Sequence, residues 1–228
     1  MQMFKKVLKP AFPVMVSYLV LSLVCGIVSF QVGFTPLQIL LTSAVLYSGS
    51  GQFLLAGLYG AGASLVSIII TLAFLGLRFV LMSMSSSRHV RQKSTWFDFF
   101  FSMTISDESF GVNTVMFGQP DWTADHALTL NLLNYGIWVL GSGLGALLVS
   151  VVDLDTSIIS YGLTAMFICM TVEQFVDRYY LYAGLISVVF TIIALIILQN
   201  SLGIVVGALL ASLIGFQLKW TKEGQGHE

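Results

Sequence analysis

FDFFFSMTISDESFGVNTVMF, residues Phe97 to Phe117, is the stretch whose reading decides the fold. It is apolar enough to enter a bilayer, yet Asp107 and Glu108 sit side by side in its middle. One ionisable group at bilayer depth costs at least ~2.5–3.5 kcal/mol, so such residues persist where protein or trapped water surrounds them. The run Ser106-Asp107-Glu108-Ser109 also offers backbone amides hydroxyl and carboxylate partners, which favours an interruption over a continuous helix. A helix broken at membrane depth and carrying acids is the pattern of a permeation or coupling site.

Working outward, the composition excludes several classes. Of 228 residues, 57% are hydrophobic and only 9% are charged, whereas soluble domains carry about 25% charged residues. Ten basic against eleven acidic residues leave a net charge of −1, so nothing points to nucleic acid. Cys25 and Cys169 both fall in apolar segments, where thiols pack rather than react, and two cannot build a disulfide framework. His89, His126 and His227 fall in predicted loops or the tail, and no His or Cys pair has ligand spacing; no metal or cofactor is expected. Ser48 and Ser50 lack a His or Lys base within any membrane segment, so the chain is not expected to be an enzyme. Lys5, Lys6 and Lys9 precede an apolar run, Phe12–Phe30, that is longer than a signal-peptide core and lacks an A-x-A-like site. It is therefore read as a retained first transmembrane helix.

Apolar segments of spanning length recur at Phe12–Val32, Leu37–Tyr59, Ser64–Ser85, Trp96–Phe117, Ala127–Val152, Ser157–Val176, Tyr179–Leu198 and Ser201–Leu218. Backbone groups find no water inside lipid and the alternation of a β-barrel is absent, so the expectation is an all-α polytopic membrane bundle of about six to eight segments, organised as one transport domain over residues 1–228. The basic clusters, Lys5/Lys6/Lys9, Arg88/His89/Arg91/Lys93 and Lys219/Lys222, should all be cytoplasmic. Three full crossings between Lys9 and Arg88 would separate the first two. The conflict disappears if Leu37–Tyr59 enters and leaves on one face, broken at Ser48-Gly49-Ser50-Gly51, and if Trp96–Phe117 does the same near residues 105–109. Eight plain crossings with a misplaced basic loop is the alternative.

The first break reads Ser48-Gly49-Ser50-Gly51-Gln52-Phe53. A half-helix starting there would aim free N–H groups at a carboxylate, with Gln52 as a further donor and acceptor. Close helix packing by small residues is the plainer explanation. Arg78 lies within an apolar segment; it either snorkels towards the basic loop or pairs with Asp107, Glu108 or a substrate carboxylate. Neighbouring helix residues point about 100° apart, so one guanidinium cannot easily serve both acids, and the acid left over is suited to carry a coupling proton. Glu173 and Gln174 are read as part of an interfacial charge cluster, and Asn131 with Asn134 as interhelical hydrogen-bond partners. Gly203, Gly207, Ala211 and Gly215 form a groove expected to be an intrachain seam, with Gly141 and Gly145 a shorter one.

Taken in order along the chain, Tyr47-Ser48-Gly49-Ser50-Gly51-Gln52-Phe53, Leu77-Arg78 and Ser106-Asp107-Glu108-Ser109-Phe110 resemble the motifs of the AzlC family of bacterial branched-chain amino acid exporters. Pro13 and the run from Tyr161-Gly162-Leu163 to Phe167 also fit. The sequence departs from the family pattern at Gly51, at Gly76 and Phe79 around the arginine, and at Ser106. The resemblance implies export of leucine, isoleucine and valine, with methionine as a further candidate, across the bacterial inner membrane. It also implies a small AzlD-type membrane subunit as partner. The residues themselves point to Ser48, Gly49, Ser50, Gly51, Gln52, Arg78, Asp107 and Glu108 as the pathway, with proton coupling. A non-transporting assembly subunit is the alternative function, and an intramembrane enzyme the more remote one.

Overall fold

The computed structural model describes residues 2–90, 93–151 and 178–198, together with single positions at 168 and 172 and between 203 and 214. Its elements are helices: α1 (Gln2–Gln31), α2 (Pro36–Leu46), α3 (Gly49–Gly60), α4 (Leu65–Val90), α5 (Thr95–Met103), α6 (Asp107–Met116), α7 (Ala124–Val151) and α8 (Arg178–Leu198). Among the described residues, α4, α7 and α1 from Met3 onward are long and apolar enough to cross a membrane. Large apolar side chains such as Leu65, Ile69, Leu81, Val115 and Val151 lie on the outside, as they do when lipid rather than water is the solvent. The protein is an all-α helical membrane bundle.

The chain forms two compact units, residues 1–57 with 75–160, and residues 58–74 with 161–228. In the first, α1 and α7 lie against each other in parallel, with Val7 and Ala11 meeting Leu130 near one end, Tyr18 meeting Trp138 midway and Gly26 meeting Ser142 beyond. Glycine makes this approach possible. A Cβ on Gly26 would stand 2.0 Å from the Ser142 carbonyl oxygen, and one on Gly145 would stand 2.2 Å from that of Leu23. The Gly141–Gly145 groove is thus an intrachain seam. In the second unit the same holds for Gly203 and Gly207, which pack against the α8 backbone at Ala194 and Thr191.

Both expected interruptions are present. Helix α2 starts with Thr35 as N-cap, closing a capping box with Gln38, and Pro36 follows in the first turn, where its missing N–H is no loss. It stops at Tyr47, which adopts φ 22°, ψ 62°, and α3 begins at Gly49. The positive φ therefore falls on a tyrosine and not on the glycines. Gly49 and Gly51 answer a demand for space: a Cβ on Gly49 would sit 3.0 Å from the Trp138 indole, and one on Gly51 2.9 Å from the Ser48 hydroxyl. At the second break, α5 ends at Thr104 and Ser106 is extended (φ −136°, ψ 167°). Ser106 and Ser109 close a reciprocal capping box, so the serines flanking the acids start α6 as well as ending the preceding turn.

The broken pairs fold back on themselves. Leu55 of α3 shares a small cavity with Phe34 and Ile39, so α3 returns towards the end where α2 began. Val90, Phe101, Ile105, Ala124 and Ala127 form one core cluster, with Phe97 and Phe117 packed on it, while His89 stacks on Phe117 at 4.2 Å. Helix α5 therefore leaves from, and α6 returns to, the end occupied by the basic loop. At that same end Lys6 pairs with Asp121 (3.5 Å) and Lys93 with Asp125 (2.7 Å). The N-terminal lysines and the basic loop share one end of this unit, as the charge bias requires.

Some expectations shift. His89 and His126, expected in loops, lie in the last turn of α4 and the first turn of α7. Helix α4 runs to Val90, beyond the predicted Ser85. The segments Ser157–Val176 and Ser201–Leu218, with Glu173, Gln174, the Tyr161–Phe167 run and Cys169, lie wholly or mostly outside the described residues. If the α1–α7 seam holds the unit together, Gly145→Val should lower the midpoint of thermal unfolding in detergent. Overpacking of this kind costs about 1–3 kcal/mol, and an unchanged midpoint would show the two backbones to be separable.

Candidate functional site

The two breaks meet at Arg78. One terminal nitrogen of its guanidinium (Nη2) donates to the Ser50 hydroxyl in the first turn of α3 at 2.6 Å, and lies 3.1 Å from the Asp107 carboxylate in the first turn of α6. Its Nε is buried and has no hydrogen-bond partner among the described residues. The arginine does not snorkel. It spans two interrupted helices and leaves its Nε–H unpaired. Asp107 belongs to a helix start, where the positive end of the backbone dipole favours an acid. A guanidinium presents its five N–H groups in a fixed fork; Nη2 serves both Ser50 and Asp107, and the neighbouring Nε–H is buried.

Glu108 is served differently. Its carboxylate accepts a hydrogen bond from the Tyr18 hydroxyl of α1, and among the described residues no cation pairs with it. One arginine thus serves one acid, as the angular spacing of adjacent helix positions demands. Tyr18 packs edge-on to Trp138 with ring centroids 5.2 Å apart, and Tyr47 packs on Tyr135 at 4.9 Å. Tyr135 in turn donates to the Ala44 carbonyl at 2.8 Å. These aromatic residues are parts of the site that the sequence did not single out. Tyrosine at mid-span of an apolar segment, as at Tyr18, was the available signal, since a phenol there needs a polar partner.

Gln52 is buried and its amide is committed to the protein. Its Nε2 donates to the Ser43 hydroxyl at 2.6 Å; its Oε1 accepts from Trp138 Nε1 at 2.6 Å and from the Cys25 thiol at 3.6 Å. The Ser43 and Ser142 hydroxyls are 2.6 Å apart, and Ser142 donates to the Trp138 carbonyl at 2.9 Å. Each hydroxyl has one proton, so the bonds run in one sense from Gln52 through Ser43 and Ser142 to Trp138, and back through the indole to Gln52. That circuit ties α2, α3 and α7 together and engages both Gln52 amide atoms, with the second N–H of Nε2 left over. Ser48 is likewise occupied as the cap of α3, accepting from the Gly51 amide at 3.1 Å. Of the first-break residues, Ser50 is the one joined to the charged centre.

Asn131 accepts from Asn113 at 2.9 Å, and Asn113 accepts from the Trp122 indole at 3.3 Å, so this residue does link helices as expected. Asn134 is fully buried and neither of its amide atoms has a partner among the described residues.

Comparison with known proteins places the chain. The AzlC protein family matches residues 13–152, which contain every residue of this site. This chain belongs to the AzlC family. Relatives cover most of it: an uncharacterized membrane protein of Archaeoglobus fulgidus is 27% identical over 93% of this chain and 94% of its own length. The branched-chain amino acid transport protein AzlC of Bacillus subtilis is 24% identical over 85% of this chain and 76% of its own. The inner membrane protein YgaZ of Escherichia coli is 25% identical over 60% of this chain and 58% of its own. No solved structure matches.

The Gln52 circuit gives a direct test of what that residue does. Gln52→Leu strands the Trp138 indole N–H in an apolar interior, at a cost of about 1–3 kcal/mol. The expected result is a lower unfolding midpoint with altered tryptophan fluorescence; unchanged stability would return Gln52 to the list of possible ligands.

Proposed function

We propose that this AzlC-family chain is the large subunit of a secondary transporter that exports branched-chain amino acids, leucine, isoleucine and valine with methionine as a further candidate, across the bacterial cytoplasmic membrane. Its 228 residues serve as one transport domain, working with a small AzlD-type membrane subunit. In this reading the basic end of the first unit faces the cytoplasm, along with the lysines near the C-terminus, and the two broken pairs are re-entrant from opposite faces of the bilayer.

The observation that carries the reading is the Arg78 guanidinium, joined to Ser50 and Asp107, with a buried Nε–H that has no partner among the described residues. A zwitterion has a carboxylate for that guanidinium and for the start of α3, and an ammonium group for the two acids. The name of the Bacillus subtilis relative agrees with such a cargo. Glu108 is the carboxylate proposed to carry the coupling proton, since it is held by a neutral phenol and not by a cation.

Counterflow of labelled leucine into proteoliposomes, with and without the small subunit, tests the reading. Arg78→Lys keeps the charge but loses the fork. Since a hydrogen bond to a charged group is worth about 1.5–3 kcal/mol, flux at limiting leucine should fall about tenfold or more. Glu108→Gln should abolish the pH dependence of export while Asp107→Asn retains it. Absence of counterflow in the wild type would leave the chain as an assembly subunit, and full flux in Arg78→Lys would show that the guanidinium fork does not hold the cargo.

A further inference from the structure

We propose that the AzlC-family chain has a second, peripheral amino-acid site: the cavity between α4 and α5 at the basic end, which binds the ammonium group of a zwitterion through Asp98. The cavity is an open groove of about 210 Å³, lined by Ser83, Ser87 and Val90 of α4 and by Asp98, Phe101 and Ser102 of α5. Asp98, Ser87 and Ser102 are exposed, within reach of a solute from outside, while Val90 and Phe101 are buried. The lining residues recur at helical spacing on both elements, three or four apart, so each helix turns one face to the cavity.

The chemistry of the two faces is complementary to an apolar amino acid. Asp98 is an acceptor only, whereas Ser83 and Ser102 can donate to a carboxylate. The Ser87 hydroxyl already donates to the Met84 carbonyl at 2.7 Å, so it meets a ligand as an acceptor. Val90 and Phe101 are buried members of the adjoining core and supply an apolar wall. Asp98 sits in the first turn of α5, where a helix favours an acid, but that preference does not account for hydroxyls and an apolar wall facing it across a cavity. Among the described residues no cation pairs with Asp98. Lys93 is committed to Asp125 and lies over the Phe97 ring.

The cavity also lies in the right place. Ser102 is two residues from the end of α5 at Thr104, and Ser83 is five residues beyond Arg78, about 7.5 Å of helix. A solute held there stands between the basic end and the Arg78–Asp107 centre. The identity of the ligand rests on the transport reading; the existence of the site does not.

The test is protection of a cysteine from maleimide. With Cys25→Ser and Cys169→Ser, Ser102→Cys places a thiol on the cavity wall, and Ser83→Cys on the facing helix serves if that variant does not fold. Leucine should slow labelling, and 4-methylpentanoate, the same skeleton without the amino group, should not. Asp98→Asn should raise the leucine concentration for half-protection about tenfold or more, the loss of one charge-assisted hydrogen bond. Arg78→Lys should leave protection intact. Equal labelling with and without leucine in a protein that still performs counterflow overturns the peripheral site and leaves the transport reading standing. Protection without counterflow overturns the transport reading and keeps the site. Equal protection by 4-methylpentanoate, or by leucine after Asp98→Asn, overturns the role of Asp98.

Discussion

A guanidinium shared between two helix starts is the interaction on which the centre of this protein depends. Each break in a membrane helix releases backbone groups that lipid cannot satisfy. Ser48 and the Ser106–Ser109 box satisfy those groups locally, and Arg78 joins the two breaks by holding the Ser50 and Asp107 side chains at once. The pairing also separates two adjacent carboxylates into different environments, one beside a cation and one beside a phenol.

The arrangement around this centre has an internal symmetry of plan. A long helix followed by a capped, broken pair occurs first as α1 with α2 and α3, and again as α4 with α5 and α6. The second set begins with Ser94 as N-cap where the first has Thr35. In the first unit α1 starts, and α4 finishes, at the end marked by the Lys6–Asp121 and Lys93–Asp125 pairs, so the two sets run in opposite senses. Secondary transporters are commonly built from such inverted repeats, with the cargo held where broken helices from the two halves meet.

Much of this could be read in the sequence because membrane helices have strong and simple requirements. Length and hydropathy located α4 and α7, and the cost of burying Asp107, Glu108 and Arg78 picked out the charged centre before any contact was known. The Ser106–Ser109 run announced a break because its capping box is local. Other features depended on distant parts of the chain. Nothing within Ser48–Phe53 shows that Trp138 fills the space over Gly49, or that Ser43, Trp138 and Cys25 occupy the Gln52 amide. A glutamine among small residues looks the same from sequence whether it awaits a ligand or closes a hydrogen-bond circuit. The positive φ at Tyr47 was equally hidden, since a glycine two residues later was the cheaper place for it.

The seam between α1 and α7 limits how this protein can move. Two backbones in contact through Gly26 and Gly145 have no side-chain cushion to deform, and interfaces packed so closely change between discrete arrangements and do not slide continuously. The pair therefore behaves as a keel. Any rearrangement of the centre must either carry α2, α3 and α6 along with α7, to which Ser43–Ser142, Gln52–Trp138 and Asn113–Asn131 tie them, or break those bonds.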